Sequence, residues 1–283
     1  MKNKAIGIVG LILISFIACL AIFAPLIARY DPNAVVGPSY AKPSAEFLLG
    51  TNDVGYDIFS ELVYGAQYSL LVGLTSAAIA AGIGIVVGVL SGWFGGMIDS
   101  ILMKITSFFI TIPYLPLVIV LTAFLPKGFI SMSLILGLVS WPEIARILRS
   151  QTMKMRSREY ILSIQAMGVS HWYVIRTHVI RELLPLVTYQ LILRIKASIL
   201  SEAALSFLGL GEPTVKSWGS MLYYAQAKDA FMTDAWLWWV IPPGLCIAIL
   251  SFGLMLVGYG IKDSCYEIAE LQFRDIQMYD GSV

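Results

Sequence analysis

From Ser69 to Ile98 the chain runs for 30 residues without a single Asp, Glu, Lys, Arg or His, and from Ala235 to Ile261 it does so for another 27. Few folds accept such stretches. A helix that crosses a bilayer needs about 20 mostly apolar residues, and any open sheet would leave backbone groups unpaired in hydrocarbon. Six segments meet the requirement: 5–28, 69–92, 101–125, 129–149, 186–208 and 236–261. Only 13% of the 283 residues are charged, against about a quarter in soluble domains. The expected fold class is an all-α integral membrane protein with six transmembrane helices. The apolar run after Lys2 and Lys4 is too long for a signal peptide and reaches Pro25 and Arg29 without a small-residue cleavage site, so it reads as a retained first span.

Orientation follows from Lys and Arg near the spans. With the N-terminus in the cytoplasm, the inner segments hold Lys2, Lys4, Lys104, seven basic residues between Arg146 and Arg181, Lys262 and Arg274. The outer segments hold Arg29, Lys42, Lys127, Lys216 and Lys228. Twelve against five predicts that both termini are cytoplasmic. The net charge of +1 excludes the basic field that nucleic-acid binding requires. Cys19, Cys246 and Cys265 lack metal-type spacing, and the two in apolar spans, Cys19 and Cys246, read as small buried hydrophobes. His171 and His178 have no metal-ligand companions, so no metal site is expected.

Within the spans, Gly84, Gly88, Gly92 and Gly96 recur every fourth residue after Ala77, Ala80 and Ala81, which predicts a close helix-packing seam. Pro113 and Pro116 should each bend span three. Outside the spans, 31–67 should contain an interfacial helix around Ile58–Val63, and 209–234 carries the aromatics Trp218, Tyr223, Tyr224 and Phe231. Span five holds Arg194, Lys196 and Glu202, read as the intramembrane charges. Helical spacing puts Arg194, Ser198, Ser201, Glu202 and Leu205 on one face, with Lys196 nearly opposite. Such groups face protein or water, so Arg194, Ser198, Ser201 and Glu202 are candidates for lining a pathway or a subunit interface.

The polar segment from Arg146 to Pro185 is the exception in this chain. Taken as a helix, 158–168 places Tyr160, Ile161, Ile164 and Met167 on one apolar face. Gly168 suits the left-handed residue past a helix end, Ser170 can cap the next helix, and Pro185 marks a kink into span five. A short helix beneath the membrane, gripped by something cytoplasmic, explains this layout. The alternative is a basic interfacial loop held by anionic lipid.

The segment from Glu159-Tyr160 through Gly168, then His178 to Pro185, resembles the coupling helix of ABC importer permeases. Leu49-Gly50-Thr51-Asn52-Asp53-Val54-Gly55-Tyr56-Asp57, Tyr64-Gly65-Ala66 and Gly92-Trp93-Phe94-Gly95-Gly96 resemble the dipeptide/oligopeptide/nickel permeases. So does Ser201-Glu202-Ala203-Ala204-Leu205-Ser206-Phe207-Leu208-Gly209-Leu210-Gly211 with Ser217-Trp218-Gly219. Together these are similar to the second, C-type permease of that family, with a type I importer fold. The resemblance divides the chain into 1–68 (first span and outer segment), 69–268 (core) and 269–283 (cytoplasmic tail). It implies that Tyr160, Ile161, Leu162, Ser163, Ile164, Gln165, Ala166, Met167 and Gly168 dock on an ATPase. It also implies partners: a second homologous permease, two ATP-binding cassette ATPases and an extracellular or lipid-anchored substrate-binding protein, in a prokaryotic cell membrane.

Two positions depart from the family pattern. Leu162-Ser163-Ile164 replaces its Glu-Ala-Ala triplet, so the grip should rest on apolar fit and the Gly168 turn. Tyr56 stands where a basic residue is usual. The chain has no Gly-x-x-x-x-Gly-Lys-Ser/Thr phosphate loop and no nucleophile–base–orienter set, so no enzymatic activity or cofactor is expected of it; ATP and Mg belong to the ATPases. Peptides are the expected cargo, with nickel chelates, glutathione, opines or oligosaccharides as alternatives. An ion-coupled secondary transporter would need carboxylates in several spans and repeated halves; Glu202 is one such carboxylate, and no repeat is found.

Overall fold

The structure is a computed structural model that describes residues 2–280, with side chains described for 5–261. Cys265, Lys262, Arg274 and the basic side chains at positions 2 and 4 lie outside the described side chains. The helices are α1 (Lys2–Ile22), α2 (Ala24–Ile27), α3 (Ile58–Phe94), α4 (Gly96–Thr111), α5 (Tyr114–Phe124), α6 (Phe129–Arg156), α7 (Glu159–Ala166) and α8 (His171–Val174), then α9 (Ile180–Phe207), α10 (Trp218–Ala227), α11 (Trp236–Trp239) and α12 (Ile241–Asp280). A π-helical turn, Ile175–Val179, joins α8 to α9, and a 3₁₀ turn, Ala230–Met232, follows α10. Among the described residues there is no β-strand.

Five helical stretches are long and apolar enough to cross a membrane, and a sixth is formed if α4 and α5, bent by 86°, act as one. The packing decides that they do. Gly84 lies against Ile144, Gly88 against Ala145 and Leu148, and Gly92 against Arg149 and Thr152, while Gly137 lies against Ser76 and Ile79. The partner numbers rise together, so α3 and α6 run parallel. Two parallel helices need a connection that travels back along the bundle. Asp99 of α4 is tied to Ser91 and Arg149 at one end, and Val118 of α5 packs with Tyr68, Val72 and Met132 at the other. The α4–α5 pair is therefore a crossing. Ser69 meets Glu202, Gly7 faces Gly260, and Gly258 faces Tyr189, so α9 is antiparallel to α3, and α12 to α1 and α9. These contacts place residues 7 and 260 at the same end of the bundle as 157–170.

Several expectations need correcting. The interfacial helix at Ile58–Val63 is the first part of α3, started by Asp57, whose carboxylate accepts the Ser60 N–H at 2.9 Å. One helix of 37 residues extends about 55 Å, so it projects beyond a ~30 Å hydrocarbon core. Span three breaks at Pro113 alone. Ile112 before it is extended (φ −81°, ψ 128°), as a pre-proline residue prefers. Pro116 sits in the first turn of α5, where its missing N–H is not needed. Pro185 lies inside α9; the irregular turn comes earlier, at Ile175–Val179. Ser170 occupies the cap position, but its side chain makes no capping hydrogen bond. Gly96 leaves the glycine seam, because Gly95 and Gly96 both take positive φ and turn the chain into α4.

Candidate functional site

The connection between α6 and α9 is built from local signals and one buried anchor. Arg158 precedes α7 in extended conformation, and Gly168 ends it at φ 76°. Ile161 is fully buried among Trp93, Met155, Val174 and Ile175, and Ile164 and Val169 pack partly on that cluster. Burying one isoleucine contributes roughly 2 kcal/mol. A second attachment is polar. Glu182 of α9 pairs with Arg158 and accepts the Tyr160 hydroxyl at 2.9 Å. Burial and the Glu182 carboxylate both push the Tyr160 phenol up, so it stays protonated and donating.

The predicted apolar face divides in two. Ile161 and Ile164 turn toward the bundle, while Tyr160 and Met167, 42% and 73% exposed, point outward beside Leu162 (50%), Trp172 and Tyr173. Ser163, Ala166 and Gly168 are also exposed, and Gln165 is half-buried. The histidines serve aromatic packing: His171 contacts Trp93 and Phe94, and His178 contacts Tyr160 and Tyr173. A groove of about 330 Å³ beside Leu162 is lined by Ser91, Gly92, Asp99, Met153 and Arg156. Its floor is fixed by Arg149, which grips both oxygens of Asp99 at 2.5 and 2.6 Å.

The intramembrane candidates separate. Glu202 has no exposure and accepts from Ser69 Oγ (2.9 Å) and Ser206 Oγ (2.8 Å), so its carboxylate knits α3 to α9 inside the subunit. Ser198 and Ser201 are buried too, and Ser201 accepts from the Tyr114 hydroxyl at 3.1 Å. Arg194 is different: it pairs with Glu143 of α6. Glu143 is a second intramembrane carboxylate, so the charges of span five are not alone. The sequence signal was present as an acid inside one apolar segment and a base inside another, 51 residues apart.

At the other end of the bundle, the quoted motifs converge. Asn52 Oδ1 accepts the N–H groups of Val54, Gly55 and Tyr56, and its Nδ2 donates to Glu61. Glu61 also accepts from Lys216 at 2.7 Å, and the Lys216 ammonium lies 4.5 Å from the Tyr56 ring centre. The tyrosine that replaces a basic residue thus cradles a lysine from another loop. Trp218, fully buried, donates its Nε1–H to the Leu62 carbonyl at 3.0 Å. Lys216→Met would leave Glu61 buried with the Asn52 amide and no counter-charge, which is expected to cost about 3–5 kcal/mol. Thermal unfolding of the detergent-solubilised protein checks this; a melting temperature equal to wild type would show that the pair is dispensable.

A family model described as the binding-protein-dependent transport system inner membrane component matches residues 84–264, from the glycine seam through α7 and α9 into α12. The chain belongs to that family. A second model, the N-terminal TM domain of oligopeptide transport permease C, matches residues 1–47. The chain is 35% identical to the probable D,D-dipeptide transport system permease protein DdpC of Escherichia coli (strain K12), over 93% of this chain and 88% of that protein. It is 33% identical to the oligopeptide transport system permease protein OppC of Bacillus subtilis (strain 168), over 93% and 86% respectively. The inward-facing MetNI methionine ABC transporter structure aligns with a TM-score of 0.53 at 21% identity, covering 71% of this chain and 96% of that one, and so shares the fold. As a family member, the chain is a multi-pass membrane permease component of a binding-protein-dependent ABC transport system.

Proposed function

We propose that this chain is the C-type permease subunit of a peptide importer, forming half of the translocation path with a second homologous permease. Two ATPases would bind below it, with ATP and Mg held on them, and a substrate-binding protein would deliver cargo from outside. The observation that carries this reading is the α7 unit: a helix seated by Ile161, closed by a left-handed Gly168, and presenting Leu162 and Met167 outward. Peptide cargo is supported by relatives named as dipeptide and oligopeptide permeases across 93% of this chain. The excess of Lys and Arg at the α7 end supports a cytoplasmic position for it and for both termini. Closure of the ATPases on ATP would displace α7, and its anchors to α3, α6 and α9 would pass the movement to the spans.

Co-expression with the neighbouring ATPases and binding protein, followed by ATPase assay in vesicles, tests this. Peptide-loaded binding protein should stimulate hydrolysis and drive uptake. Stimulation by nickel chelates or oligosaccharides but not by any peptide would reassign the cargo. Leu162→Lys should reduce the stimulated rate about tenfold, the effect of removing a central apolar contact from an interface. An unchanged rate would move the docking surface elsewhere.

A further inference from the structure

Midway along the bundle, three spans bring polar groups to one place. Glu143 stands near the middle of α6, which runs from Phe129 to Arg156, so about 20 Å of helix lies on either side of it. Within the apolar segment 129–149, Glu143 lies inside the hydrocarbon, about 9 Å from the end nearer α7. Arg194 of α9 donates through Nη2 to Glu143 Oε2. Tyr114, the first residue of α5 at the 86° break, lies close enough to feel both charges and ties the break to α9 through Ser201. The unwound point of the broken span and the charge pair therefore share one level.

The pair is not sealed. The Glu143 side chain is 61% exposed on this chain, against 17% for Arg194. An ionised carboxylate open to hydrocarbon is strongly disfavoured, so this face meets water or protein. The guanidinium is partnered through Nη2, and its Nε, buried in the protein, makes no hydrogen bond. A scaffold pair would be expected to use its donors fully and to bury its acid. This one keeps an open anion and a buried donor without a partner.

We propose that Glu143 and Arg194 form a recognition site for the two termini of a zwitterionic peptide in transit, a proposal that rests on the peptide-importer reading. Arg194 takes the cargo carboxylate, for which a planar guanidinium is well matched, and Glu143 takes the cargo ammonium. The exchange conserves charge. Separating the pair without replacement would leave two unpaired ions within the membrane; a zwitterion supplies both replacements at once. The site therefore favours cargo that carries both charges over solutes that carry one or none.

The test uses the assembled transporter in vesicles, with a labelled tripeptide, its C-terminal amide and its N-acetyl form. Rates are read as variant over wild type for each cargo, so that selection by the binding protein cancels. Arg194→Gln should slow the free tripeptide at least tenfold and the amide less than twofold. Glu143→Gln should show the mirrored pattern with the N-acetyl form. Equal loss for all three cargos, or full recovery of free-peptide uptake in the charge-swapped Glu143→Arg/Arg194→Glu protein, would reduce the pair to a scaffold. If the wild type carries only the free peptide, a photoreactive residue at Ile147 replaces the ratio: cargo labelling lost on Arg194→Gln supports the site, and no labelling overturns it. A wild type that carries no peptide removes the importer reading and this proposal with it, whereas uniform loss removes this proposal alone.

Discussion

Gly168→Val is expected to abolish uptake while the protein still reaches the membrane and the isolated ATPases still hydrolyse ATP. Gly168 sits at φ 76°, and its N–H closes the end of α7 on the Gln165 carbonyl at 3.0 Å. A Cβ there would touch nothing within 4 Å, so the penalty is purely conformational. It is about 1–2 kcal/mol for an ordinary L residue and higher for a β-branched one. Burial of Ile161, the main apolar anchor of α7, contributes only about 2 kcal/mol. The two are comparable, so the strained turn competes directly with the contact that seats the helix. A graded series separates this from simple bulk. Gly168→Asn should retain most uptake, since asparagine tolerates the left-handed region, Gly168→Ala should lose part, and Gly168→Val nearly all. Equal uptake by wild type and the valine variant would mean that α7 orientation does not govern coupling.

The second large effect belongs to the glycine seam. Gly88→Leu is expected to prevent accumulation of folded protein. A Cβ at Gly88 would lie 2.7 Å from the Ala145 carbonyl oxygen and 2.8 Å from Leu148 Cβ. Neither atom is the end of a flexible side chain, so α6 itself must retreat. Gly84 and Gly92 meet the same helix just as closely, and the displacement would propagate along the whole contact. Even alanine should cost about 1–3 kcal/mol by overpacking. Gly82 supplies the control. It is exposed on the same helix with nothing within 4 Å of a Cβ. Gly82→Ala should be neutral or gain up to about 1 kcal/mol from helix propensity. Melting temperatures in detergent give the comparison; equal stability of the two alanine variants would show that the seam is not tight.

Much of this architecture was legible in the sequence. Apolar length announced the crossings, Gly168 the end of α7, and the four-residue glycine period a close helix contact. Each of these properties is local, set by backbone geometry or by the thickness of hydrocarbon, and a window of ten to thirty residues contains it. Boundaries were less legible where an expected cap or kink was absorbed into a longer helix, as at Ile58–Val63 and Pro185. The candidate site was half visible. The short helix and its glycine were found, but the direction of its side chains was not, because periodicity shows which residues share a face and not what the face meets. Ile161 and Leu162 are neighbours with opposite fates, one sealed by Trp93 and Val174 and the other left open.

The sequence alone determined that this chain is a bundle of membrane helices with one structured polar turn, since lipid admits no other backbone solution for such runs. The tertiary structure alone decided the partners. It joined Arg194 to Glu143, Arg149 to Asp99 and Lys216 to Glu61, and it turned Glu202 inward to two serines rather than toward a path. Apart from Ser206, one turn from Glu202 on the same helix, these partners lie 50 or more positions apart, where spacing along the chain carries no information about distance. A charge in a span must find a counterpart, but which one depends on the register at which rigid helices pack. Here the glycine contacts of α3 against α6, and of α1 against α12, set that register.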